Sequence, residues 1–306
     1  MIEVDRRPAF LGALVDAGHL VPSGVRGVYG RGHAFELVRR AFDDLLTREM
    51  ADQDAEVLRF PPVIPRHGFE SSEYLRSFPH LAGTIFGFEG TEGEALEQFE
   101  LANRHEDWSR FQTMTDLVLT PAACYPVYAA IGARASLGID GITIDPGDAW
   151  VFRHEPSDDP ARLQMFHMRE LVRIGTPETV LAWRDAWIER GLAILRGLGL
   201  DAAADLAADP FFGRSGRMLA ASQREQQLKV EILAPIAGPE RTAIASFNYH
   251  QAYFSTLHGI AREDGGTVHT ACLGFGHERI VLALLECHGL DVGRWPVEVR
   301  ERLRID

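Results

Sequence analysis

The stretch WVFRHEPSDDPARLQMFHMRELVR, residues 150–173, constrains the fold most, because it reads as two strands and a turn with charge where a core-facing strand would carry Val, Ile or Leu. Side chains of a strand alternate between two faces. On the outgoing strand this sets Val151, Arg153 and Glu155 on one face, with Trp150, Phe152 and His154 on the other. Pro156, Ser157, Asp158, Asp159 and Pro160 make a short turn. On the return strand Arg162, Phe166 and Glu170 share a face. Two arginines, two glutamates and a ring on one surface fit either a solvated face of cross-strand ion pairs or a binding surface.

The chain around this hairpin is expected to alternate helices with clustered strands. Residues 1–32 are Gly-rich and read as an irregular N-terminal arm packed on a body of residues 33–306. From His33 to about Ala51, Phe35, Val38, Phe42, Leu45 and Leu46 recur at helical spacing, and the strand AEVLRF follows, broken by Pro61, Pro62 and Pro65. Ser71 and Ser72 are placed to cap the start of a short helix, GTIFGF reads as a strand, and EGTEGEALEQFE as an acidic, exposed loop or helix. DLVLT is a strand running into a helix, PAACYPVYAAIG, whose beginning holds Cys124. Pro177 starts a long amphipathic helix, and a shorter Ala-rich helix follows, giving a helical segment over 177–210. FFGRSGRML reads as a loop exposing Arg214 and Arg217, and strands return at QLKVEILAPI and TAIASFNYH. The regular repeat of a doubly wound fold is missing, so the expected class is α+β with a mainly antiparallel sheet flanked by helices.

Composition narrows the function. With 306 residues and 46% apolar content the chain can bury a sizeable core, and its net charge of −13 argues against a large nucleic-acid footprint. The start MIEVDRRPAF has no apolar leader, and no run approaches bilayer length, so a soluble, cytoplasmic protein is expected. Cys124, Cys272 and Cys287 are sparse and unpaired in sequence, which fits a reducing compartment, each being an apolar filler or a ligand.

A second special stretch is GFGHER, Gly274 to Arg279, where a strand turns into a helix. Glycines there let a ligand approach the backbone, and a helix N-terminus favours an anion. The stretch departs from the dinucleotide fingerprint, because Arg279 stands where the third glycine would be.

Taken together, FRxE, the turn, Arg162 four residues before Phe166, Glu170 four after it, and the later GxGxxR resemble motifs 2 and 3 of class II aminoacyl-tRNA synthetases. The helix from His33, its strand and Pro61-Pro62 resemble motif 1. The likeness covers roughly residues 33–290 and is nearest the atypical zinc-dependent seryl type, in which a cysteine such as Cys124 replaces an acidic residue of the amino-acid loop. The resemblance implies that Arg153 holds the α-phosphate of ATP, Glu155 the adenine amino group, and Arg162 the terminal phosphates. Phe166 would stack on adenine with Leu163 beside it, and Arg279 would close over the nucleotide. Arg153 and Arg279 are thereby the catalytic pair, stabilising charge that builds as a carboxylate attacks phosphorus. Cys124, Glu170 and Cys272 match three zinc ligands, leaving a fourth position for the amine of the amino acid. The acidic magnesium ligand expected before motif 3 is missing, since AIASFN puts Ala243 near that place; Lys229, Glu231 and Ser246 are the substitutes for phosphate, metal or ribose contacts.

The acceptor follows from what accompanies the core. Only about 30 residues precede motif 1, so no tRNA-reading module is expected, and tRNA is not the expected acceptor. A core of this kind resembles the amino acid:[carrier protein] ligases, which activate glycine or alanine with ATP and magnesium and load a phosphopantetheine thiol. The implied partner is an acidic carrier protein, with Arg214 and Arg217 as its docking site and the long helix from Pro177 beside the path of its arm. The motif 1 likeness implies a homodimer. The alternatives are a truncated seryl-type synthetase charging tRNA and an inactive regulatory paralogue. Against the latter, Arg153, Glu155, Arg279 and the three metal-ligand positions are intact.

Overall fold

A computed structural model describes residues 5–305, apart from the side chains of residues 214 and 215. The N-terminal segment is more regular than expected. Helix α1 (Arg7–Asp16) precedes a two-stranded sheet of β1 (Leu20–Pro22) and β2 (Tyr29–Arg31), and Phe10, Leu14 and Leu20 join the main core. Helix α2 (His33–Glu49) follows as the spacing predicts, then the short strand β3 (Glu56–Val57). A small sheet comes next, built from β4 (Val63–Pro65), β5 (Thr84–Phe88) and β6 (Gln112–Leu119) in the order β4-β6-β5. Between them lie α3 (Arg66–Ser71), α4 (Tyr74–Ser77) and α5 (Glu92–Asn103). Ser71 and Ser72 close α3 instead of opening a helix: their hydroxyls return to the carbonyls of His67 and Phe69. The acidic segment is the helical alternative, with Thr91 and Glu94 forming a capping box.

After α6 (Tyr125–Gly132) the hairpin appears as β7 (Ile142–Phe152) and β8 (Met165–Gly175). Then come α7 (Pro177–Arg196), β9 (Ala203–Leu206), α8 (Gly213–Glu225), β10 (Lys229–Pro235) and β11 (Arg241–Gln251). The chain continues through α9 (Tyr253–His258), β12 (His269–Gly276), α10 (His277–His288) and α11 (Val297–Leu303). The main sheet has seven strands in the order β3-β7-β8-β12-β11-β10-β9, antiparallel throughout except for β3 beside β7. Among the described residues no helix is long and apolar enough to cross a membrane.

Alternation divides this sheet into two faces. Leu171, Leu273, Phe275, Phe247 and Ile232 point into one cluster with Trp187 and Leu195 of α7, Ile280 and Leu284 of α10, and Phe42 of α2. Each such side chain contributes about 1.5–3 kcal/mol relative to leaving it exposed. Helix α7 is therefore bound to the back of the sheet, and the expectation that it borders the path to the hairpin's charged face is wrong: amphipathy shows that a helix face is buried, but not against which side of a sheet. The Ala-rich run after α7 is also not a helix. As β9 it pairs with β10 and completes the sheet edge, so the supposed helical segment of 177–210 contributes a strand to the main body.

Candidate active site

The opposite face of the sheet carries the unusual residues in two neighbouring rows. Across β8, β12, β11 and β10 the register aligns Glu170, Gly274, Ser246 and Glu231. One pair further on it aligns Val172, Cys272, Asn248 and Lys229. Parity within each strand was legible in the sequence; the register that joins four strands into rows is a property of the sheet.

Cys124, at the N-cap of α6, meets this face from above. The ligand atoms of Cys124, Glu170 and Cys272 all lie within 4.8 Å of one another, and all three residues are buried. One carboxylate oxygen of Glu170 accepts from the Ala123 N–H at 3.0 Å, while the other is buried without a partner among the described residues. Burial, with Cys272 close by, pushes the Glu170 carboxyl up to about 8. The neighbouring Cys272, together with burial, pushes the Cys124 thiol up, while the neighbouring Cys124 holds Cys272 low. Two thiols and a carboxylate with an orphaned oxygen form a donor set suited to zinc. The sign of the pH effect follows. In protein stripped of metal, Glu170 contributes stability that is full below its ordinary value of about 4.5 and is lost as pH rises through about 8. Melting temperatures of chelator-treated protein should therefore fall across that window, and Glu170→Gln should flatten the fall.

Next to the cluster, the hairpin and the start of α10 enclose a small cleft lined by Ala161, Leu163, Phe166, Gly276, Glu278 and Arg279. The Arg153 guanidinium lies 5.5 Å from the centre of the Phe166 ring, and its Nε donates to the Pro121 carbonyl at 3.3 Å. Arg279 is held more firmly, donating to the carbonyls of Ala161 at 2.7 Å and Ala243 at 2.9 Å. Burial, then the neighbouring Arg153, pulls the Arg279 guanidinium below its usual value. Arg162 is exposed and reaches Glu155 at 3.4 Å. At Gly274 a Cβ would meet Met168 at 3.1 Å and Glu170 at 3.4 Å, so glycine keeps open the space between Glu170 and Ser246.

Several expected placements change. Arg153 and Glu155 do not belong to a strand, because β7 ends at Phe152 and β8 begins at Met165; the connection is a loop, not a short turn. Only the bond from the Arg153 N–H to the Gln164 carbonyl, 2.9 Å, extends the ladder. Lys229 is buried and already engaged, 2.6 Å from Asp209 and 2.9 Å from Glu231. The FFGRSGRML segment is largely helix α8 instead of a loop, with Arg217 exposed on it; the Arg214 side chain lies outside the described residues. His167 and His277 are buried on the back, His167 against Glu278 and Trp150, His277 beside Asp148. The sequence reading passed over Asn248, His250 and Asp209. Asn248 could have been found by counting two residues on from Ser246, whereas nothing in the sequence ties Asp209 to Lys229.

No protein-family model matches the chain. It is similar to amino acid--[acyl-carrier-protein] ligase 1 of Bradyrhizobium diazoefficiens, 44% identical over 284 residues that cover 92% of this chain and 86% of the relative. Among solved structures it superposes on M. kandleri SerRS, crystallised with A. aeolicus tRNASec, at a TM-score of 0.82 and 21% identity, covering 99% of this chain and 61% of that one. Seryl-tRNA synthetase from Pyrococcus horikoshii, complexed with ATP, follows the same fold at a TM-score of 0.71 and 15% identity, over 100% of this chain and 64% of that one. The chain thus spans less than two thirds of either synthetase, sharing with them the class II catalytic core. By the extent and level of its identity to the carrier-protein enzyme, the chain belongs to the amino acid--[acyl-carrier-protein] ligases.

Proposed function

We propose that the chain activates glycine or alanine with ATP and transfers the aminoacyl group to the phosphopantetheine thiol of an acidic carrier protein. The observation that carries this reading is that the three-ligand cluster and the cleft at Arg279 share one sheet face, Glu170 and Phe166 standing on the same side of β8 and Cys272 and Gly276 on the same side of β12. Amino acid and nucleotide would then lie side by side, with their relative position fixed by strands.

In this reading the amino-acid carboxylate attacks the α-phosphorus, the bond to the β-phosphate breaks, and pyrophosphate leaves. Arg153 and Arg279 face the charge that develops; Arg279 is preorganised by its two carbonyl bonds, so little reorganisation is needed during the step. Phe166 would stack on adenine over Leu163, Glu155 would accept from its amino group, and exposed Arg162 would swing from Glu155 to the terminal phosphates. Cys124, Glu170 and Cys272 would hold zinc, which when bound offers a Lewis-acidic position for the amine of the amino acid. Tyr128 and Phe254 pack in the same cluster as the two cysteines, and in this reading their rings would limit the amino acid to a small side chain. The thiol of the carrier then attacks the adenylate carbonyl, forming the C–S bond and releasing AMP.

Magnesium would come with ATP. Ala243 offers only its carbonyl, which Arg279 uses, so Glu231 is the carboxylate on this face that could share the ion, with Lys229 orienting it and Ser246 toward the ribose. For the carrier, α8 presents Arg217 beside exposed Phe212, Met218 and Leu219, a basic and apolar ridge suited to an acidic partner. Reversing both Arg214 and Arg217 to glutamate should weaken carrier use by about 10-fold or more while pyrophosphate exchange stays at the wild-type rate. Unchanged transfer would remove this docking site. A homodimer through α2 belongs to this reading by the motif 1 likeness of that helix; solution scattering at micromolar concentration should return a dimer mass. Reduced thiols at Cys124 and Cys272 suit a cytoplasmic location. Residues 1–32 would serve as an arm on the catalytic body of 33–306. The deciding test offers labelled glycine or alanine to a phosphopantetheinylated carrier and to tRNA in parallel: label on the carrier alone supports the proposal, and label on tRNA alone supports a truncated synthetase.

A further inference from the structure

One thiol of the cluster is treated differently from the other. Cys272 receives the Asn248 side-chain amide at 3.6 Å and faces the His250 Nε2 at 3.7 Å. His250 is the extra residue of a β-bulge, for the pairing of β11 with β12 slips between Tyr249 and Gln251 and leaves His250 without a partner on β12. Bulges of this kind re-aim a side chain. The ring's Nδ1 lies 3.3 Å from the Tyr128 hydroxyl and 3.2 Å from the Thr270 hydroxyl, and both of those residues are buried. Tyr128 is itself fixed, stacked on Phe254 with centroids 4.1 Å apart and planes 9° from parallel. A hydroxyl that donates to Nδ1 would leave the ring proton on Nε2, the nitrogen that faces the sulfur.

We infer that His250, set by Tyr128 and Thr270, is a positioning residue that holds the Cys272 thiolate for the metal. The inference rests on the zinc reading of the cluster. Two thiolates and a carboxylate around a divalent ion leave one net negative charge in a buried place, and such charge needs N–H donors. Asn248 and His250 supply them to Cys272, as the Ala123 N–H does to Glu170. The bulge, the tautomer and the packed tyrosine are then parts of one support behind a ligand, which is how outer-shell groups tune metal sites.

The test measures zinc retention instead of turnover. Zinc-loaded wild type, His250→Ala, His250→Gln and Tyr128→Phe are titrated against a chromogenic chelator, with circular dichroism of the stripped proteins as a check on folding. His250→Ala should lose about 10–100-fold in zinc affinity, Tyr128→Phe less, and His250→Gln should recover part of the loss through its amide N–H. Tyr128→Phe removes a single hydroxyl and keeps the stacked ring, so it reads the relay even where the alanine variant fails to fold. Wild-type affinity in all the folded variants would overturn the inference while leaving the metal site standing. A wild type that binds no zinc would overturn both.

Discussion

Replacing Arg279 by alanine is expected to lower amino-acid-dependent ATP–pyrophosphate exchange by about 10²–10³-fold, the usual effect of removing one preorganised donor from developing charge. The guanidinium spans two carbonyls, those of Ala161 in the hairpin loop and Ala243 in β11, and borders the same cleft as Phe166. It therefore braces the loop against the sheet as well as facing the nucleotide. Lysine should not rescue the variant, because a single ammonium cannot bridge both carbonyls and still reach phosphate. Removal also leaves two partly buried carbonyls without a donor, which costs about 1–3 kcal/mol for each that becomes fully unsatisfied. A thermal melt separates this structural part from the catalytic one: a modest drop in melting temperature with a hundred-fold loss of exchange fits the assigned role, whereas a large drop with exchange retained in the folded fraction would reduce Arg279 to a brace.

The second large effect is expected at the metal cluster. Cys124→Ala or Cys272→Ala removes one of three converging donors, so zinc affinity should fall by more than the ~10–100-fold that an outer-shell change brings. Exchange should fall with it, because the amine of the amino acid would lose its anchor. Cys287→Ala serves as the control, since that residue is exposed, lies on α10 away from the cluster and bonds the Gly199 carbonyl. Metal content by atomic absorption, read beside exchange rate, decides the point. Full activity in a variant without zinc would mean that Glu170 and the cysteines merely fill the core.

Much of this site can be read in the sequence because strands alternate. Phe166 with Glu170, Cys272 with Gly274, and Lys229 with Glu231 keep their faces whatever the register, and α2 and α7 announce themselves by spacing. What stays hidden depends on pairing between distant segments. The Ala-rich run at β9 has helix-forming composition, but the open edge of β10 captures it as a strand, a case of tertiary structure overriding local preference. Helix α7 shows a buried face in its sequence, yet only the sheet decides that it lies on the back. Arg153 reads as a strand residue because it continues the alternation of β7, yet the strand ends one residue before it and a single ladder bond carries over. His250 is hidden for the same reason: its aim depends on a slip between β11 and β12 that neither strand carries alone.

The central claim is that one sheet face brings ATP and a metal-held amino acid together. The most direct test is ATP–pyrophosphate exchange with glycine and with alanine, in protein stripped of zinc and in the same protein after zinc is restored. Exchange that is lost on stripping and returns with zinc is the predicted result. No exchange with any amino acid, or exchange that survives complete removal of zinc, would contradict it.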